Sequence, residues 1–183
     1  MNEIKMFNVE PTTEQKKYAW QQVTDYNFGK RGIFDGKKKQ QYAGILAQTV
    51  MADNIEYPRP NGKDGFDNGI DFIIHNIKCD LKVTGREYYM KNHYSHNIVA
   101  SQLSYETEIY ILGSVNYKTG IITYCGLIRK DQMKRYFHPA GTIRTRDDGT
   151  TFTYKVASYD VPQSDLHQIK NWLDIIWGVD QIL

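Results

Sequence analysis

Residues 65–83 read GFDNGIDFIIHNIKCDLKV. β-Branched and aromatic residues dominate this run, and the dipeptide His75-Asn76 interrupts it with turn chemistry. The pattern predicts two strands, over residues 70–74 and 77–83, joined as a hairpin. Pairing that is symmetric about the turn sets Ile74 opposite Ile77, Phe72 opposite Cys79 and Asp71 opposite Asp80. Side chains alternate along each strand, so one face carries Ile70, Phe72, Ile74, Ile77, Cys79, Leu81 and Val83. That face is wholly apolar and must be the core face. The other face carries Asp71, Ile73, Lys78, Asp80 and Lys82. A slip of one residue would bury the charges, so the apolar face fixes the register.

This register places two aspartates side by side, with β-carbons roughly 5 Å apart, and like charges directly opposite each other destabilise a sheet. A shared proton, the ammonium of Lys82 or a bound cation could offset the repulsion. Two carboxylates at this spacing suit a hard divalent cation with oxygen ligands. An exposed charged face on an amphipathic hairpin explains Lys78 well. It explains two facing aspartates poorly, because a solvated hairpin gains more from opposite charges.

The rest of the chain supplies a context for this hairpin. With 183 residues it is long enough for one domain with a real core, and its 40% hydrophobic and 24% charged content is that of a globular protein. A net charge of +2 is compatible with nucleic acid and not diagnostic of it. Helices are expected over residues 13–28, after the Pro11-Thr12-Thr13 start, and over 38–54, where Tyr42, Ile45, Leu46, Thr49 and Val50 form a stripe. IYILGSV and IITYCGLI around NYKTG read as a hairpin, and TIRT and TFTYKV around RDDG as another. KDQMKRYF reads as a short helix. The stretch from Val83 to Glu106 reads as irregular or partly helical. Ser164 is expected to cap a last amphipathic helix reaching Trp177, with Leu166, Ile169, Leu173 and Ile176 on one side. Such a mixture points to α/β or α+β architecture in a single domain over residues 1–183.

Two distant cysteines, Cys79 and Cys125, argue against a zinc ribbon or a disulfide scaffold. The N-terminal residues lack the apolar centre of a signal peptide, and no apolar run is long enough for a membrane span, so a cytoplasmic location is expected.

Asp71, then eight residues, then Asp80-Leu81-Lys82 resembles the D…(D/E)xK signature of the PD-(D/E)XK nuclease superfamily. GIDFIIHNIKCDLKV is similar to the hairpin form of that site. YAGILAQ resembles the family's first helix, with Gln48 where an acidic residue is commoner. NIVASQL followed by EIYILGSV resembles the family's Gln-bearing segment and points to Gln102. The similarity spans residues 40–115, and the literal Pro-Asp dipeptide is absent. The resemblance implies a restriction-endonuclease-like mixed central β-sheet flanked by helices, and Mg²⁺-dependent hydrolysis of DNA phosphodiester bonds, with Mn²⁺ as a substitute. Asp71, Asp80 and the Leu81 carbonyl would hold the ion. Lys82 would act on the attacking water and on the charge building at phosphorus. Gln48 would hold a metal-bound water or a second ion, and Gln102 would join the catalytic set. Cutting both strands of a duplex usually calls for two active sites, so a duplex substrate is compatible with a homodimer through the last helix and its Trp172 and Trp177; the simpler expectation is that this helix packs on the sheet of its own chain.

Weaker signals compete. Asp64 and Asp67 precede the hairpin, but Asp67 falls among Gly and Asn and suits a turn. His93 and His96 form an HxxH pair without a third ligand, which suits a surface loop. The pairs His75-Asn76 and His96-Asn97 faintly resemble HNH nucleases, without their usual surroundings. Lys37, Lys38 and Lys39, with Lys30, Arg31, Arg86, Arg144 and Arg146, would form a phosphate-contacting surface in a nuclease. The alternative to an enzyme is a catalytically inactive nucleic-acid-binding or assembly protein on the same fold, which Gln48 keeps open and the trio Asp71, Asp80 and Lys82 opposes.

Overall fold

A computed structural model describes residues 4–28, 36–64, 69–145 and 149–182. After strand β1 (Phe7–Val9), Thr12 opens helix α1 (Thr13–Asp25) through a reciprocal cap. Its hydroxyl accepts from the Gln15 N–H at 3.1 Å, and the Gln15 side chain accepts from the Thr12 N–H at 2.9 Å. Helix α2 (Lys38–Asn54) follows. The predicted hairpin forms as β2 (Phe72–Ile74) and β3 (Ile77–Arg86). Next come β4 (Ser95–Val99), β5 (Ile109–Asn116), β6 (Ile122–Arg129) and the short helix α3 (Lys130–Met133). β7 (Phe137–His138), β8 (Ile143–Thr145), β9 (Thr151–Thr153), β10 (Ser158–Pro162) and α4 (Trp172–Gln181) complete the order.

Five strands make the main sheet in the order β1-β6-β5-β3-β2. β3 and β5 are parallel and the other neighbours antiparallel, so the sheet is mixed. β4, β10 and β7 make a smaller antiparallel sheet, and β8 pairs with β9. Every residue of β5 is buried, as its unbroken apolar reading requires of a strand covered on both faces. One face of the main sheet, with Phe72, Cys79, Leu81, Ile111 and Tyr124, packs against Leu46 and Val50 of α2, Val23 of α1, and Ile175 and Val179 of α4. The opposite face, with Tyr110, Leu112 and Ile128, packs against Ile98 of β4, Val161 of β10, Met133 and Leu166. Each fully buried aliphatic or aromatic side chain contributes roughly 1.5–3 kcal/mol, so two cores of this size hold both layers on the sheet.

The mixed α+β reading therefore holds, with one correction to the layering. The three long helices share one face, and the small sheet covers the other. The last helix also starts later than its sequence suggests. Leu166 enters the second core and Ile169 the first, while His167 pairs with Leu127 through hydrogen bonds of 2.9 and 3.0 Å. Those bonds hold the segment extended, and Asn171, not Ser164, caps α4 by accepting from the Asp174 N–H. Leu173, expected inside, is 53% exposed. α1 ends at Asp25 rather than running on to residue 28, and Gly29, its expected stop, lies outside the described residues. Among the described residues, no helix is long and apolar enough to cross a membrane.

Candidate active site

The hairpin turns where the sequence says it should. His75 and Asn76 have φ of 51° and 67°, the left-handed pair that a two-residue turn requires. His75 Nδ1 lies 2.6 Å from Asp180 of α4, which ties the turn to the helix layer. The ladder pairs Phe72 with Cys79, Ile73 with Lys78 and Ile74 with Ile77, the register read from the apolar face.

The ladder stops at Phe72, so Asp71 is not paired with Asp80 as the symmetric extension required. Its N–H donates to the Cys79 carbonyl at 3.0 Å, and its Oδ2 accepts from the Leu81 N–H at 2.8 Å. The physical reason lies in the strand edge. β2 is too short to satisfy Leu81, so the Asp71 carboxylate takes that donor in a charge-assisted bond. A strand residue points its N–H and C=O to the same side. The Leu81 carbonyl therefore faces the same edge as the Asp71 carboxylate.

Asp80 sits on the face opposite the helices, 1% exposed, in register with Tyr110 of β5. Lys82 Nζ lies 2.6 Å from Asp80 Oδ2, and the lysine side chain is 17% exposed. The Tyr110 phenol is held neutral, its pKa raised first by burial and then by the Asp80 charge. Its hydroxyl donates to the Gln102 carbonyl at 3.2 Å. Lys78, farther along this face, is ion-paired with Glu106 at the exposed end.

A cavity of about 160 Å³ opens beside Lys82, lined among others by Thr84, His96, Asn97, Gln102 and Leu112. The structure thus brings Asp71, Asp80, Leu81 and Lys82 onto one short stretch of hairpin and puts Gln102 among the lining of the cavity beside Lys82. Gln48 belongs to the other layer. It is half-buried on α2, which packs on the apolar face of the hairpin rather than on the face of Asp80 and Lys82.

His96 was expected in a surface loop. It lies on β4, 2% exposed, one side-chain alternation from buried Ile98. The SHNIV alternation carried that signal, with His96 and Ile98 turned the same way. Gln163 Nε2 donates to the Cys125 carbonyl at 2.7 Å, which turns Gln163 Oε1 toward His96 Nε2 at 2.8 Å. His96 Nε2 must then carry the proton, and Nδ1 bears the lone pair, buried and without a hydrogen-bond partner among the described residues. Burial, with Arg86 nearby, drops the His96 pKa to about 4, so the ring is neutral at pH 7.

The basic residues divide. Arg144 is taken up by the buried Asp160, and Arg86 turns inward to donate to the Ser95 carbonyl at 2.7 Å over the ring of Tyr94. His93 stays exposed against Tyr94. Lys30, Arg31, Asp67, Arg146 and the side chain of Asp64 lie outside the described residues.

Among the described residues, no group of three or more His, Cys, Asp or Glu forms a ligand cluster. The donors at the hairpin are instead two carboxylates and one edge carbonyl, all oxygen. That set fits Mg²⁺, which binds through one or two carboxylates and fills its remaining positions with water and substrate phosphate. The chain matches no family model, no curated protein and no solved structure.

Proposed function

We propose that the chain is a metal-dependent nuclease that hydrolyses DNA phosphodiester bonds at Asp71, Asp80 and Lys82, on a restriction-endonuclease-like fold. The observation that carries this reading is the buried Asp80–Lys82 pair at 2.6 Å, one residue either side of Leu81, whose N–H is held by Asp71 at 2.8 Å. A structural ion pair does not need a second carboxylate at the same strand edge.

Asp71, Asp80 and the Leu81 carbonyl would hold Mg²⁺ or Mn²⁺, which supplies Lewis-acid polarisation of a phosphoryl oxygen and a water of lowered pKa. Lys82, as an ammonium beside Asp80, has no lone pair to take a proton. Its role is then to orient the attacking water and to stabilise charge on the phosphoryl oxygens. The cavity lined by Lys82 and Gln102 would receive the phosphate group in this reading. Gln102, which lines the same cavity, would help orient the bound group.

The second reading, an inactive nucleic-acid-binding protein, draws on Gln48 standing in the helix layer and on how tightly Lys82 closes over Asp80. Titration calorimetry with Mn²⁺ separates the two. The nuclease reading expects binding by the wild type and its loss in Asp80→Ala. Equal heats from both proteins would remove the site.

A further inference from the structure

A second feature lies at the far end of β3 and β5. Tyr117, just past β5, lays its ring on Gly85, where a β-carbon would come within 1.9 Å of it. Lys39 of α2 holds its Nζ 3.9 Å from the centre of the same ring. The next residue along, Lys118, sits 5.1 Å over the ring of Tyr88, and Lys38 sits 5.6 Å over Trp20 of α1. Lys16, one turn before Trp20 on α1, approaches the turn at Gly120, with its Cε 3.5 Å from where a β-carbon would stand. These contacts join α1, the start of α2, the end of β3 and the β5–β6 turn into one surface.

The chemistry of that surface is specific. Trp20 is 55% exposed and Tyr88 66% exposed, and neighbouring Tyr89 is exposed as well. Rings of this size are left in water at a cost unless something covers them. Among the described residues, Lys16, Lys38 and Lys118 have no ion-pair partner; of the carboxylates nearby, Glu87 is bound to Lys39 at 3.3 Å and Asp25 lines a groove with Lys38. Cations interleaved with exposed aromatic faces match a chain of phosphates carrying unstacked bases. Bases within a duplex are already stacked and offer no face to Trp20 or Tyr88. The patch begins about four residues beyond Lys82, roughly 13 Å along β3, on the helix-covered side of the sheet, so a strand bound there would round the end of β3 to reach the face of Asp80 and Lys82.

We propose that Trp20, Tyr88 and the lysines 16, 38, 39 and 118 form a binding surface for single-stranded nucleic acid, with bases stacked on the rings and phosphates on the ammonium groups. This surface would name the substrate form of the proposed nuclease, yet it binds without the metal or Asp80.

The test is fluorescence anisotropy with labelled dT15, rU15 and a hairpin duplex of equal charge, all in EDTA. The wild type should bind a single strand more tightly than the duplex at the same salt, with the DNA and RNA arms showing whether the sugar is read. Each ring removed should weaken single-strand binding about 5- to 150-fold, the scale of base–aromatic stacking. Trp20 packs partly on Tyr42, so Tyr88→Ala, at a ring that is 66% exposed, is measured alongside Trp20→Ala, with both folds checked by circular dichroism. Tighter duplex binding, or folded variants that bind dT15 and rU15 as the wild type does, would overturn the proposal. Because hydrolysis is absent in EDTA, failure here leaves the nuclease reading standing, and failure of cleavage leaves this surface standing.

Discussion

Acidifying the protein through the range where histidine titrates should destabilise it through one residue, His96. In the unfolded chain its imidazole has the ordinary pKa of 6.5, and in the fold that value falls to about 4 because the ring is buried and Arg86 lies near. The native state therefore binds fewer protons than the unfolded state between those two values. Stability from the neutral ring is fully present above pH 6.5 and is lost as the pH falls toward 4. The fall from 6.5 to about 4, at 1.36 kcal/mol per pH unit, comes to about 3 kcal/mol. That is a large share of the 5–15 kcal/mol typical of a domain. Urea unfolding at half-unit steps from pH 7.5 to 4.0 reads the slope directly. His96→Gln keeps an amide donor for Gln163 and removes the titration. Carboxylates held low by arginine or lysine, such as Asp53 beside Arg59 and Glu106 beside Lys78, lose their own contribution mainly at the acid end. They do so equally in both proteins, so the difference between the two curves isolates His96. The wild type should lose about 3 kcal/mol more than the variant between pH 6.5 and 4. Parallel curves over that range would refute the buried neutral imidazole.

Other expected outcomes follow from the same structure. Lys82→Ala leaves a carboxylate that is 1% exposed without its ammonium, and removing one partner of a buried pair costs about 3–5 kcal/mol, so its melting temperature should fall sharply, whereas Asp80→Asn with Lys82→Met should recover much of the loss. Thr12→Ala removes one half of the reciprocal cap on α1 and should cost about 1 kcal/mol in chemical denaturation. Cys79 and Cys125 are buried, and burial pushes both thiols up to about 12, so neither should react with a thiol reagent at pH 8 until the protein unfolds.

The hairpin was legible because a two-residue period and an apolar face leave one register, and His75-Asn76 supplied the turn. Helix α2 was legible to the residue, since its stripe of apolar side chains faces a sheet along its whole length. What alternation could not show was where the ladder would end. Whether Asp71 pairs across to Asp80 or reaches the Leu81 N–H depends on how long β2 runs, and that is set by contacts outside the hairpin. β4 and β10 were missed for a related reason. They are short strands that pair with each other across more than 50 residues, with Ser95 opposite Pro162 and Val99 opposite Ser158, so no local turn announces them. The start of α4 was misplaced because Leu166 and Ile169 fit a helical stripe on spacing alone, while the fold sends them into two different cores. Arg144 looked like a phosphate contact until the buried Asp160 claimed it.

Single-turnover cleavage tests the central claim most directly. Labelled single-stranded, duplex, flap and branched DNA are each mixed with excess protein and Mg²⁺ or Mn²⁺, for the wild type and for Asp80→Asn, whose shape matches the carboxylate it replaces. If Asp71, Asp80 and Lys82 are the hydrolytic site, the wild type cleaves at least one form, and the folded variant cleaves it about 100-fold or more slowly, the scale of losing a charge-stabilising group. Cleavage at equal rates by both proteins, or no cleavage of any form by the wild type, would contradict it.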